Sequence, residues 1–396
     1  MVLLVDNRTT GRQVAGIAVA LMASLLATGA EPVTRGELLF IGTWGAVPDD
    51  PPGSRHGIFA ARLDRNTGHL TPLGWVADLN HSAWLVHHPE LPVLYAVGIE
   101  GTQLNVESRL VSYRINNVDG SLRELNRVGA GGINTAHVAL ESRSATLFAS
   151  NYGSGSVTAV PILKDGSLGS VVSTQKDYGT GPAPRQAAPH AHSVAFDPAH
   201  RYMLSADFGA DRLFVYRFEP RTRVLSPGDP PFVALPAGSG PRHLAFHPNG
   251  HFVYLVSELT AMVDVFRWNA ASGTLEPVQS WSPYAAGVAA DRSGAEIGLS
   301  RDGRFLYLTL RGDADSVVVL AVDPRRGTLS EVQRTPSLGK MPWSFALDPS
   351  GRWMVVPNTG SGTVNVFGVD PASGRLTPTS ESIPLPTPVA VLFAIR

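Results

Sequence analysis

Seven leucines, each following a tight turn, recur along the chain at Leu70, Leu122, Leu168, Leu225, Leu275, Leu329 and Leu376, at spacings of 46 to 57 residues. A period near 50 residues, with several short alternating strands in each repeat, is the pattern of a β-propeller and not of a helical array. Four runs align within each period. In the fifth repeat they read RHLAFHP, FVYLVSEL, MVDVFRWN and LEPVQSW, and are called strands a to d. Each is five to eight residues long, with the alternation or β-branched and aromatic bias of a strand.

Strand a recurs as WLVHHP from Trp84, HVALES from His137, HSVAFDP from His192, RHLAFHP from Arg242, EIGLSRD from Glu296 and WSFALDP from Trp343. The first repeat lacks it and opens on a b-type strand, LLFIGTW from Leu38. The missing strand lies at the other end, as VAVLFAI from Val389 to Ile395. The expected fold is therefore all-β: a seven-bladed propeller of four-stranded antiparallel blades, its ring closed by the C-terminal strand joining the N-terminal blade. Such closure leaves no unpaired sheet edge around the circumference. Blades of this kind cannot bury their faces alone, so 31–396 is expected to be one domain despite the length.

Composition supports this reading. The chain is 43% hydrophobic and 16% charged, with 40 Gly and 31 Pro, enough for a large core interrupted by many turns. A net charge of -1 without runs of like charge gives no field favouring nucleic acid or an anionic membrane. With no cysteine, disulfides, thiolate chemistry and Cys-ligated zinc are excluded. Residues 1–30 differ in kind. Arg8 and Arg12 precede an apolar stretch from Val14 to Leu26, and Thr28-Gly29-Ala30 supplies small residues before Glu31. This reads as a cleaved signal peptide, the apolar run being shorter than the ~20 residues a membrane span needs. The expected location is periplasmic or secreted, with no membrane span in the mature protein.

Antiparallel order places the a–b turns on one face and the b–c and d–a connections on the other. His87, His88, His200, His247 and His251 fall on the a–b face, where turn chemistry accounts for them. On the other face, Pro189-His190-Ala191-His192 and Gly240-Pro241-Arg242-His243 precede strands a, while Glu258 and Arg311 follow strands b. In an extended segment His190 and His192 share one side. Two histidines, two arginines and a carboxylate at one mouth can bind an anion and move a proton. The structural alternative is an Arg242–Glu258 ion pair that locks neighbouring loops. A His-x-His metal site completed by His243, Glu258 or His137 is opposed by the two arginines, so neither metal nor cofactor is expected. Trp44, Asn80, His81, Asn134, Asn151, Tyr152, Asp207, Lys340, Trp343 and Asn358 lie on the same face, most of them as channel lining.

The segments PHAHSVAFDP, GSGPRHLAFHPNGHFVYLVSEL, NYGSGSV and SRDGRFLYLTLRG resemble the lactonase family of seven-bladed propellers, which includes 6-phosphogluconolactonases of the propeller type and fungal carboxy-cis,cis-muconate cyclase. Carried over position by position, the resemblance implies a site of His190 or His192, Arg242, Glu258 and Arg311. His190, His192 and Glu258 are then the catalytic candidates, and Arg242, His243 and Arg311 the substrate-binding ones. Two departures stand out: Leu310 where the family commonly has Asn, and Trp343-Ser344 where it often has Arg-Asn. One possible anion contact is lost, which argues against phosphorylated substrates. The expected activity is hydrolysis of a sugar-acid or related anionic lactone by a monomer. A muconate-type cyclase or isomerase, or a non-catalytic exported scaffold, are the alternatives.

Overall fold

The computed structural model describes residues 36–45, 55–101, 103, 105–285 and 292–394. The leader expected at 1–30, and Ile395 at the end of the closing run, lie outside the described residues. Within them, seven four-stranded antiparallel sheets form the blades of a propeller. Blade 1 is Pro388–Phe393, Glu37–Thr43, Gly57–Leu63 and Leu70–Asp78, so the ring closes with the C-terminal strand as expected. Leu39 to Gly42 pair with Phe393 to Ala390 in register, and Ala394 N donates to Leu38 O.

Both faces of a blade pack on neighbours, so strand b is a continuous apolar run rather than an alternating one. FVYLVS in blade 5 is buried at every position. Pleating then sends alternate residues to opposite neighbours: in blade 4, Met203 packs with Phe148 of blade 3, while Leu204 packs with Val253 and Leu255 of blade 5.

The repeating leucine and its turn have a common origin. Asp64, Asn116, Asn269, Asp323 and Asp370 each accept backbone N–H bonds with a side-chain oxygen, forming Asx turns. Four residues later stand Gly68, Gly120, Gly273, Gly327 and Gly374, all with φ between +71° and +77°. Glycine takes this left-handed conformation without a Cβ penalty. In blade 4 Arg223 occupies the position at φ +58°. Two residues on comes the leucine that is the first or second residue of strand d in six blades. Blade 3 differs: Leu168 makes only an isolated bridge to Ile162, and strand d is Ser173–Lys176. Strand c of that blade ends at Pro161, which has no N–H to continue the ladder. In blade 7 strand a shrinks to Ala346–Leu347, and Trp343 and Ser344 stand outside the ladder.

Candidate functional site

The site lies on the face of the d–a and b–c connections, where a cavity of about 510 Å³ opens among blades 1 to 5 and 7. The inner strands enter from this face, and four of them carry a β-bulge at their start. Register shifts occur between Thr135 and His137, Ala191 and Ser193, Pro241 and His243, and Gly294 and Ile297. A bulge re-aims side chains, which explains how the consecutive residues Arg242 and His243 both line the cavity.

Aligning the inner strands by their pairing with strand b puts Trp84, His137, Ser193, His243, Glu296 and Ser344 at one equivalent position in successive blades. One residue earlier, nearer the mouth, stand Ala83, Ala136, His192, Arg242, Ala295 and Trp343. The site thus has two tiers. In the deeper one the His243 ring lies 5.0 Å from Trp84, 5.4 Å from His137 and 5.1 Å from the upper-tier His192, centroid to centroid. His243 Nδ1 is 2.9 and 3.0 Å from the two carboxylate oxygens of Glu296.

Glu258 follows strand b of blade 5. Its N–H donates to Gly240 O at 2.6 Å and its carbonyl accepts from Gly294 N at 3.0 Å, so its backbone is fixed between two blades. Gly240 itself is at φ +63°, and a Cβ there would come within 2.8 Å of Leu259. Three guanidiniums meet the Glu258 carboxylate: Arg185 at 2.7 Å on Oε1, and Arg242 and Arg311 at 3.2 and 3.0 Å on Oε2. Arg242 also donates to Ala295 O at 2.5 Å and Arg311 to Gly294 O at 3.2 Å. The Trp343 ring covers both, 5.4 Å from the Arg242 guanidinium carbon and 4.5 Å from that of Arg311.

Charge states follow from this packing. Burial alone would raise Glu258, but Arg311 and Arg242 outweigh it and hold the carboxyl well below the usual range. Burial and the neighbouring Arg311 pull Arg242 down to about 10, leaving it charged at neutral pH. His192 and His243 fall well below the usual imidazole value through burial and the nearby Arg242. Burial pushes Glu296 up to about 7.

The structure brings His192, Arg242, His243, Glu258 and Arg311 together. His190 sits behind them, stacked on Tyr152 at 4.4 Å with Nδ1 2.7 Å from the Tyr152 carbonyl oxygen. His192 meets the same ring edge-on at 5.7 Å. Both histidines therefore contact Tyr152, but only His192 lines the cavity. Of the channel-lining candidates, Trp44, Asn80, His81, Asn134, Tyr152 and Trp343 line the cavity, whereas Asn151, Asp207 and Asn358 are fully buried in hydrogen-bond networks. Lys340 is exposed and pairs with Asp315 at 3.3 Å. Among the described residues, no three His, Asp or Glu side chains converge as metal donors.

Two participants escaped the sequence reading. Arg185 lies in the short 3₁₀ turn Pro184–Gln186 of the long blade 3–4 connection, and no repeat marks it. Glu296 was visible as the first residue of a strand. Shifting the repeat alignment by one residue in the bulged blades would have placed it beside His243.

Fold and cavity together define a closed propeller with a small-molecule-sized site, lined by aromatic, imidazole and charged side chains, at one mouth of its channel. The chain belongs to the lactonase family of seven-bladed β-propellers: the family described as "Lactonase, 7-bladed beta-propeller" matches residues 39–393. It is 31% identical over 341 residues to a 6-phosphogluconolactonase of Bacillus subtilis, covering 86% of this chain and 95% of the relative. A 6-phosphogluconolactonase of Formosa agariphila is 29% identical, with 84% and 93% covered. Among solved structures, a periplasmic gluconolactonase of Pseudomonas aeruginosa superposes with a TM-score of 0.84 at 35% identity, covering 91% of this chain and 99% of that one.

Proposed function

We propose that the protein hydrolyses a sugar-acid lactone at the Arg242–Glu258–His243 mouth, water adding to the lactone carbonyl with an imidazole as proton acceptor. The observation that carries this reading is a cavity of about 510 Å³ lined by neutral imidazoles together with Arg185 and Arg242, which share the Glu258 carboxylate with Arg311 outside the lining, so that three guanidiniums outnumber it. Positive charge lining the cavity stabilises a tetrahedral oxyanion developing there, and it is worth most in a site shielded from water. The family and the relatives named for lactone hydrolysis support the reaction class.

Phosphorylated substrates fit less well. Arg242 and Arg311 direct N–H groups to Glu258 and to backbone carbonyls, and Trp343 covers their faces. Arg185, with a side chain 57% exposed, is the cation best able to offer further donors. The lining continues from Trp343 as an aromatic wall: Trp44 packs on Trp343 at 4.4 Å and on His81 at 5.5 Å, and burial pulls His81 down to about 4, so it is neutral. A ligand with one anionic or carbonyl end and a CH-rich face matches this lining. The leader expected at 1–30, together with the periplasmic location in the Pseudomonas neighbour's name, favours the same unphosphorylated class. Purified protein is to be assayed against neutral, carboxylated and phosphorylated lactones. Accelerated opening of a neutral or singly charged lactone is expected, and absence of acceleration on all three would overturn the reading.

A further inference from the structure

We propose that His243 is the general base of lactone opening, with Nε2 taking the proton of the attacking water, and that Glu296 is the positioning residue that fixes its tautomer. The inference rests on the lactone-hydrolase reading. Three imidazoles compete for the role. His190 engages the Tyr152 carbonyl through Nδ1 and stands outside the cavity lining. His192 lines the cavity, but its buried Nδ1 has no hydrogen-bond partner and nothing selects its tautomer. His243 alone combines a place in the lining with a carboxylate on Nδ1, shared between both Glu296 oxygens at 2.9 and 3.0 Å. Its Nε2 makes no hydrogen bond to a described residue. A base with its free nitrogen toward substrate and the other nitrogen held by an orienting group is the general arrangement of activated hydrolytic water.

Glu296 is itself fixed. Its oxygen Oε1 accepts from Ile297 N at 3.1 Å, and its own N–H donates to Thr309 Oγ1 at 2.9 Å. The charged and titratable groups facing His243 are Glu296, Arg242, Arg311, Glu258, His137 and His192. Burial and the two arginines keep the imidazole neutral. The pair then has two arrangements. With Glu296 ionised, the carboxylate accepts from Nδ1–H and the Nε2 lone pair faces the cavity. With Glu296 protonated, the carboxyl donates to Nδ1, Nε2 carries the hydrogen, and the base is blocked. Because burial places the Glu296 carboxyl at about 7, the base becomes competent as the carboxyl ionises, well above the pH at which the imidazole itself would titrate.

In the reaction, the water oxygen bonds to the lactone carbonyl carbon while one of its protons passes to Nε2. The Glu296 carboxylate stabilises the imidazolium, and the positive charge of Arg185 and Arg242 in the cavity lining stabilises the oxyanion. Collapse breaks the bond from the carbonyl carbon to the ring oxygen, which takes the proton back from Nε2. The product is the open hydroxy acid, which ionises in solution.

The test uses D-glucono-1,5-lactone in a pH-stat, with spontaneous opening subtracted, for wild type and for H243Q, H192Q, E296Q and E296D, each checked by thermal unfolding. The expected wild-type kcat rises with pH through about 7. H243Q should lower kcat by about 10²- to 10⁴-fold with little change in KM. E296Q should lower kcat and abolish the rise near neutrality, E296D should restore part of both, and H192Q should lose less than H243Q. In ¹⁵N NMR of the free protein at alkaline pH, His243 should carry its hydrogen on Nδ1. Full kcat in H243Q, a larger loss in H192Q, or a hydrogen on Nε2 at alkaline pH would each overturn the assignment. A wild type that opens no lactone would instead sink the hydrolase reading, and the base with it.

Discussion

Three guanidiniums converge on the two oxygens of Glu258, and replacing that carboxylate by a neutral amide would leave like charges facing one another in a buried site. E258Q is expected to cost on the order of 3–5 kcal/mol, the range for removing one partner of a buried pair, measured by urea unfolding at neutral pH. The sign of its pH dependence follows from the lowered carboxyl. Glu258 contributes stability that is present above its ordinary value of 4.5 and lost as pH falls through its folded value. The wild-type advantage over E258Q should therefore shrink on acidification below about pH 4.5. At this scale the sequence was partly legible. Topology alone put Arg242, Glu258 and Arg311 on one mouth, because each flanks an inner or second strand. Parity could not separate His190 from His192, because the bulge at Ala191–Ser193 breaks the two-residue alternation that parity assumes. Glu296 stayed hidden for the same reason, one register step inside a bulged strand.

Between elements, amide side chains clasp blade 2 to 3, blade 5 to 6 and blade 6 to 7 at the repeating leucine. Asn126, Gln279 and Gln333 each donate to the leucine carbonyl of the following blade and accept from its N–H, reaching Leu168, Leu329 and Leu376 at 2.6 to 3.1 Å. Glu381 Oε2 accepts from Leu70 N at 3.1 Å, which carries a related contact across the closure of the ring. Q333A removes both partners of Leu376 and should destabilise by about 1–3 kcal/mol, read as a shifted urea midpoint. The clasps were readable in sequence as Asn or Gln four residues after Leu122, Leu275 and Leu329, although no single-blade pattern gives them a reason. A second inter-element contact joins Asp177, after strand d of blade 3, to Asp207 of blade 4, whose Oδ1 accepts from His190 N at 2.9 Å and so holds the loop behind the site. Burial and the neighbouring Asp207 raise Asp177 well above the usual carboxyl value, and burial raises Asp207 too, so that the facing pair favours one shared proton. A raised acid favours the folded state at low pH and loses that advantage as pH rises through its folded value. D177N, whose amide can replace the shared proton, should be more stable than wild type at about pH 8.5, with the difference shrinking as pH falls toward the ordinary carboxyl value of 3.8.

At the scale of the whole ring, the strand contributed by the last residues is what makes the first blade complete. Glu37–Thr43 is buried along its whole length between Pro388–Phe393 and Gly57–Leu63. A chain ending at Leu385 would expose that strand as an apolar edge. It should lose cooperative unfolding and aggregate, as seen by near-ultraviolet circular dichroism and gel filtration. Seven blades and their closure were legible because every repeat carries the leucine, and all but blade 4, which has Arg223 in the glycine's place, carry a left-handed glycine two residues before it. The placing of aromatic rings among the charged groups of the cavity was not, since it depends on Trp44 meeting Trp343 across blades 1 and 7 and on Trp84 meeting His243 across blades 2 and 5. That placing bears on the central claim of lactone hydrolysis at this mouth. The most direct test is the ratio of kcat/KM for D-glucono-1,5-lactone to that for its 6-phosphate, each corrected for spontaneous opening. The account predicts clear acceleration and a ratio above one. No acceleration on either lactone would contradict the function, and a ratio well below one would contradict the reading that Glu258 and the backbone carbonyls already occupy the donors of Arg242 and Arg311.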